Sequence, residues 1–173
     1  MKFEYAESHS GGFVMDDVSQ RAKPVMEYML QVEVDELFEH LGLALETIKQ
    51  KPTAANSIEL PELVDEESLG LGDDAVRNLQ AFGRDFYARV NKDAYNLFCG
   101  NDAKNSKERD KLVDAFKLGP EAVAASMAAF LIAQLGLSPL IAVAVAAITV
   151  KLFFRNAHAA MCNVWKGNVI SPA

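Results

Sequence analysis

The stretch AVAASMAAFLIAQLGLSPLIAVAVAAITV, from Ala122 to Val150, carries no charged side chain over 29 residues. A run of about 18 or more apolar residues has the length of a membrane span. Its middle holds a break. Gly136 suits the left-handed conformation that closes a helix, and Ser138-Pro139 suits the start of the next. The serine hydroxyl can accept from free backbone N–H groups, and proline is tolerated in a first turn. One straight helix through Pro139 would lose a hydrogen bond and clash with the preceding turn, at about 3 kcal/mol. The run is therefore expected to be a hairpin, with helices over 120–135 and 139–166 joined at Leu135–Ser138.

An arm of about 16 residues spans about 24 Å. A bilayer core is about 30 Å thick, so residence in lipid requires the turn to enter as well or the bilayer to thin. Ten of the 29 residues are alanine. Small side chains let helix backbones approach closely, in membranes and in soluble bundles alike. Ala125, Ala129 and Ala133 on the first arm, Gly136 and Pro139 at the turn, and Ala144 and Ala147 on the second are the candidate interaction or membrane positions. Lys151, Arg155 and Trp165 join them: the cations suit anionic headgroups or the chain's own acidic helices equally, and the tryptophan suits a membrane interface or a core.

Charge is unevenly placed. The net formal charge is -7; residues 119–173 hold Lys151, Arg155 and Lys166 against Glu121, which leaves the first 118 residues acidic. That half would repel nucleic acid and could receive a protein partner. The start, MKFEYAE, lacks the apolar core of a signal peptide. Cys99 and Cys162 lie far apart in sequence and need not pair, and no lipidation signal is present. These features point to a reducing, cytoplasmic setting for the polar part. Lys111 and Lys117 on one flank of the hairpin and Lys151 and Arg155 on the other would keep both ends cytoplasmic.

Working outward, residues 1–23 read as an irregular arm broken by Gly11-Gly12, and 24–118 as an acidic amphipathic helical region. From Pro24 to Gln50 the stripe Met26, Leu30, Val34, Leu37, Leu41, Ala44, Ile48 predicts one helix. Residues 52–72 read as a loop with an acidic stretch, 62–68 forming a short helical turn. A second helix runs from Gly72-Asp73-Asp74 to Cys99, its stripe passing through Val76, Leu79, Gly83, Phe86, Val90, Ala94 and Leu97. A third starts at Asn105 or Ser106 and ends at Lys117, with Leu112, Val113 and Phe116 inward. The hairpin, 119–167, completes one structural unit. No segment alternates with period two, so the expected fold is all-α: three amphipathic helices followed by a hydrophobic Ala-rich helical hairpin.

No motif carries chemistry. Glu36 and His40 share a helical face, but no second such pair exists to build a di-metal carboxylate site. Lys151, Arg155, His158, Cys162 and Lys166 form one polar stripe if the last helix is continuous. His158 and Cys162 have the spacing of two ligands on one face, yet zinc usually takes four, which only a symmetric dimer would supply. Ser8-His9-Ser10 is not a triad, and no glycine-rich phosphate cradle is present. No catalytic residue, cofactor-binding residue or metal ligand is therefore assigned, and a non-enzymatic role is expected.

The order of amphipathic helices ahead of an uncharged hairpin resembles the organisation of pore-forming toxins of the colicin type, as an architectural likeness. The expected function is a membrane-associated helical protein, with cytoplasmic termini, that self-associates through the hairpin as a subunit of a membrane complex or a pore-like effector. The alternatives are a cytoplasmic all-α interaction or scaffold module with the hairpin as its core, and a carrier of lipid or quinone between Ala-rich helices.

Overall fold

The computed structural model describes residues 10–56 and 72–170, and the described residues form seven α-helices with no strand. They are α1 (Ser10–Met29), α2 (Val34–Gln50), α3 (Asp73–Cys99), α4 (Ser106–Ala115), α5 (Pro120–Leu135), α6 (Pro139–Phe153) and α7 (His158–Ile170). Short 3-10 turns cover Pro52–Asn56 and Ala103–Asn105. The loop and helical turn expected over 57–71 lie outside the described residues.

The hairpin is α5 and α6. Gly136 closes α5 in the left-handed region, at φ 65°, and Pro139 opens α6. Ser138 precedes that proline but makes no capping bond; its hydroxyl is buried without a hydrogen-bond partner. The other described helices wrap the hairpin. α1 lies along α5, α2 covers α6 while packing on α3, α4 rests on α5, and α7 seals the C-terminal end of α6 against α3. Every residue from Leu140 to Val150 is buried. A helix apolar on all sides has no stripe to spare for water, which is why α6 takes the centre.

Several expected helix boundaries are corrected. The irregular arm over 1–23 gives way from Ser10 onward to α1, which continues through Pro24. Pro24 itself is exposed, while Ala22, Met26 and Met29 are fully buried. Burial of that face outweighs the proline penalty. The helix expected from Pro24 to Gln50 breaks after Met29. The chain turns at residues 30–33, with Gln31 N–H donating to Tyr28 O and Val32 N–H to Met29 O. The turn lets one half cover α5 and the other cover α6.

The second arm ends at Phe153 instead of near 166, and the chain bends by 95° between α6 and α7. The exposed Arg155-Asn156 pair lies at the corner. The bend brings Met161 and Trp165, 3 % and 0 % exposed, onto the core instead of carrying them past it. On α4, Leu112 and Ala115 point inward as their spacing requires, but Val113 is exposed and α4 ends two residues before Lys117.

Candidate functional site

The feature with functional promise is the enclosed hairpin with the contacts that hold its cover. Ala125, Ala129, Ala144 and Ala147 are all buried within a single copy. Their small size is used for contact inside the bundle, so none of them forms an outer face. At the tip, Ala133, Gln134 and Gly136 are exposed, and Pro139 is half-buried. The exposed tip carries no charge. Lys151 is half-buried, and its Nζ donates to Leu30 O at 3.0 Å, tying the end of α6 to the turn after α1. Arg155 is exposed and donates to Phe154 O at 2.6 Å. The bend separates Lys151 from Arg155, His158, Cys162 and Lys166, so the expected continuous polar stripe does not form.

Trp165 is a core anchor. Its Nε1–H donates to Asn91 Oδ1 at 2.6 Å, and its ring stacks on Phe153, with Tyr95 edge-on and Phe98 tilted beside it. Tryptophan suits such a place because its large apolar body can be covered while its single donor finds a partner.

Two polar contacts pin the cover over α6. Tyr87 on α3 is buried, and its hydroxyl lies 3.0 Å from Thr149 Oγ1. Thr149 donates to Val145 O one turn back at 2.8 Å, so Tyr87 is the donor between the two hydroxyls. Burial pushes the Tyr87 phenol far above its ordinary range, against a smaller opposing effect of the Thr149 hydrogen bond. The phenol is therefore neutral in the folded protein. Between α2 and α3, Arg84 pairs with Asp35 and lies over the Phe38 ring, 4.4 Å from its centre.

Sequence reasoning missed one grouping. Cys99, at the end of α3, is disulfide-bonded to Cys162 on α7, with Cα atoms 5.7 Å apart. The expectation that the two need not pair is thereby corrected. The 95° bend, invisible in the apolar pattern, is what lays α7 across α3. His158 completes the group: its Nε2 donates to Phe98 O at 2.8 Å and lies 3.6 Å from Cys162 Sγ. Glu36 and His40, by contrast, face each other at 3.7 Å, an ordinary one-turn pairing.

Two clefts indent the surface of the bundle. One, of about 310 Å³, opens between α1, α4 and α5 and is rimmed by Lys23, Glu108, Lys111 and Asp114. The other, of about 560 Å³, lies where Glu27, Glu121 and Lys151 meet. Among the described residues, no single helix is long and apolar enough to cross a membrane. No protein-family model, curated protein or solved structure matches the chain.

Proposed function

We propose that the protein is a non-enzymatic effector that carries a membrane-seeking hairpin under a cover of its own helices and releases it at a lipid surface. The observation that carries this reading is the enclosure of an uncharged hairpin: buried α6 lacks a polar face, and the exposed tip between the arms lacks charge. Such a tip can enter lipid without the cost of desolvating an ion. Near neutral pH the net charge of -7 opposes approach to anionic lipid. Acidification to the sequence pI of about 5.0 removes that opposition. Self-association through the alanine faces then follows release, because those faces are occupied beforehand.

The test is dye release from anionic phospholipid vesicles between about pH 7 and pH 4. Release is expected to rise on acidification. Ala133→Asp, which places a charge on the exposed tip without entering the core, is expected to keep the fold and lose release. Wild-type protein that neither binds vesicles nor releases dye across that range overturns the proposal.

A second reading keeps the hairpin as the permanent core of a helical interaction module whose acidic helices face a protein partner. The arm lengths favour it: 16 and 15 residues give about 24 and 22 Å, both shorter than the bilayer core of about 30 Å. Its signature is an unmoved hairpin at every pH at which the fold persists.

A further inference from the structure

We propose that Cys99, His158 and Cys162 form a redox-gated site for a soft divalent cation of the zinc class, closed while the disulfide stands and opened by its reduction. The inference is independent of any membrane role. Three potential ligand atoms, two sulfurs and one ring nitrogen, lie within 4.8 Å of one another, and all three residues are half-buried. They come from two rigid supports. His158 and Cys162 stand one turn apart on α7, and Cys99 ends α3.

The geometry suits a tetrahedral ion. Bonds of about 2.3 Å to sulfur and 2.0 Å to nitrogen place sulfur and nitrogen about 3.5 Å apart in such a site. His158 Nε2 and Cys162 Sγ are already 3.6 Å apart. The two sulfurs, bonded to each other in the disulfide, must part to about 3.8 Å for the same coordination, a movement that rotation about their side-chain bonds can supply. Phe116 closes one flank, its ring meeting the His158 ring edge to face at 5.9 Å and stacking on Phe154. Partial exposure leaves room for water as a fourth ligand, the arrangement of a site with two cysteines and one histidine.

The balance is simple. A dithiol donates two electrons and two protons to the Cys99–Cys162 bond, becoming a disulfide itself and leaving two thiols. The cation binds both sulfurs and displaces both thiol protons. The imidazole binds through Nε2, so its proton moves to Nδ1 and the bond to Phe98 O is given up. In the reverse direction a small-molecule disulfide accepts two electrons from the thiolates and two protons from water, leaving as the dithiol while the Cys99–Cys162 bond re-forms and the ion is released.

The experiment titrates Co²⁺, then Zn²⁺, into the full chain reduced with a phosphine and kept under nitrogen. One Co²⁺ per chain is expected, with the visible bands of a tetrahedral thiolate complex, bleached when Zn²⁺ is added. The oxidised chain is expected to take up none. His158→Ala is expected to weaken binding beyond the factor of about 100 that loss of a supporting partner brings, and Cys99→Ser to abolish the thiolate bands. A reduced, helical wild-type chain without bands overturns the proposal, as does equal uptake by the variants or the oxidised chain. Should the variants lose their helical spectrum, alkylation of the reduced wild type decides: Zn²⁺ is expected to slow modification of both thiols, and unchanged rates overturn the site.

Discussion

Gly42 and Gly83 form a reciprocal contact where α2 crosses α3. A Cβ on Gly42 would lie 2.0 Å from Leu79 O, and a Cβ on Gly83 would lie 2.0 Å from Phe38 O. Each obstruction is backbone, which no side-chain rotation can clear. The close crossing is what lets α2 touch both α3 and α6, so the cover over the hairpin depends on two missing methyl groups.

Gly42→Ala or Gly83→Ala should therefore destabilise the fold, although alanine favours a helix by about 1 kcal/mol over glycine. Forcing the helices apart outweighs that gain, and a net loss of about 1–3 kcal/mol is expected in urea unfolding. A stabilised variant would contradict the close crossing.

Tyr87 gives the fold an alkaline limit. Its folded-state pKa lies above the unfolded value because burial disfavours the phenolate. The folded protein then holds this proton more tightly than the unfolded chain. The stabilisation is complete below the unfolded value of about 10 and is lost as pH rises towards the folded value. Tyr87→Phe should cost about 1 kcal/mol at neutral pH, through the lost bond to Thr149. It should also flatten the fall in stability above about pH 10, measured by denaturant titration at several pH values.

Reduction of Cys99–Cys162 should lower the melting temperature. The bond joins residues 63 apart in sequence, and freeing a loop of that length returns up to about 4 kcal/mol of chain entropy to the unfolded state. The chain's single tryptophan, Trp165, sits three residues beyond Cys162 and reports the change. Its emission should shift to the red at a lower temperature in the reduced protein without added metal.

Ala147→Asp should abolish recovery of folded protein. Ala147 is fully buried at the centre of α6, and an uncompensated carboxylate there exceeds what a domain with about 5–15 kcal/mol of stability tolerates. Ala133→Asp, at the exposed tip, should be recovered with a wild-type helical spectrum.

The apolar run was legible because its signals were local. Gly136 and Pro139 marked the turn by their own backbone preferences, and Asp73 and Cys99 bounded α3 as its stripe required. What remained hidden depended on partners far away in sequence. Nothing near Met29 or Phe153 announces a break, since both turns follow from where α5 and α3 offer surface to cover. The cysteine pair was invisible for the same reason: the corner at 154–157 determines what Cys162 meets. Gly42 lacked a local signal too, because its role exists only opposite Gly83.

The position of α5 and α6 after α1, α2 and α3 has a consequence for biosynthesis. At about 5–20 residues per second, a ribosome needs seconds to extrude a hairpin of this length. By then α1, α2 and α3, which meet α5 and α6 in the finished bundle, have already been made. A nascent chain arranged in this order offers its most aggregation-prone segment a waiting surface. Moving that segment to the front by circular permutation would expose it during synthesis and make folding dependent on chaperones.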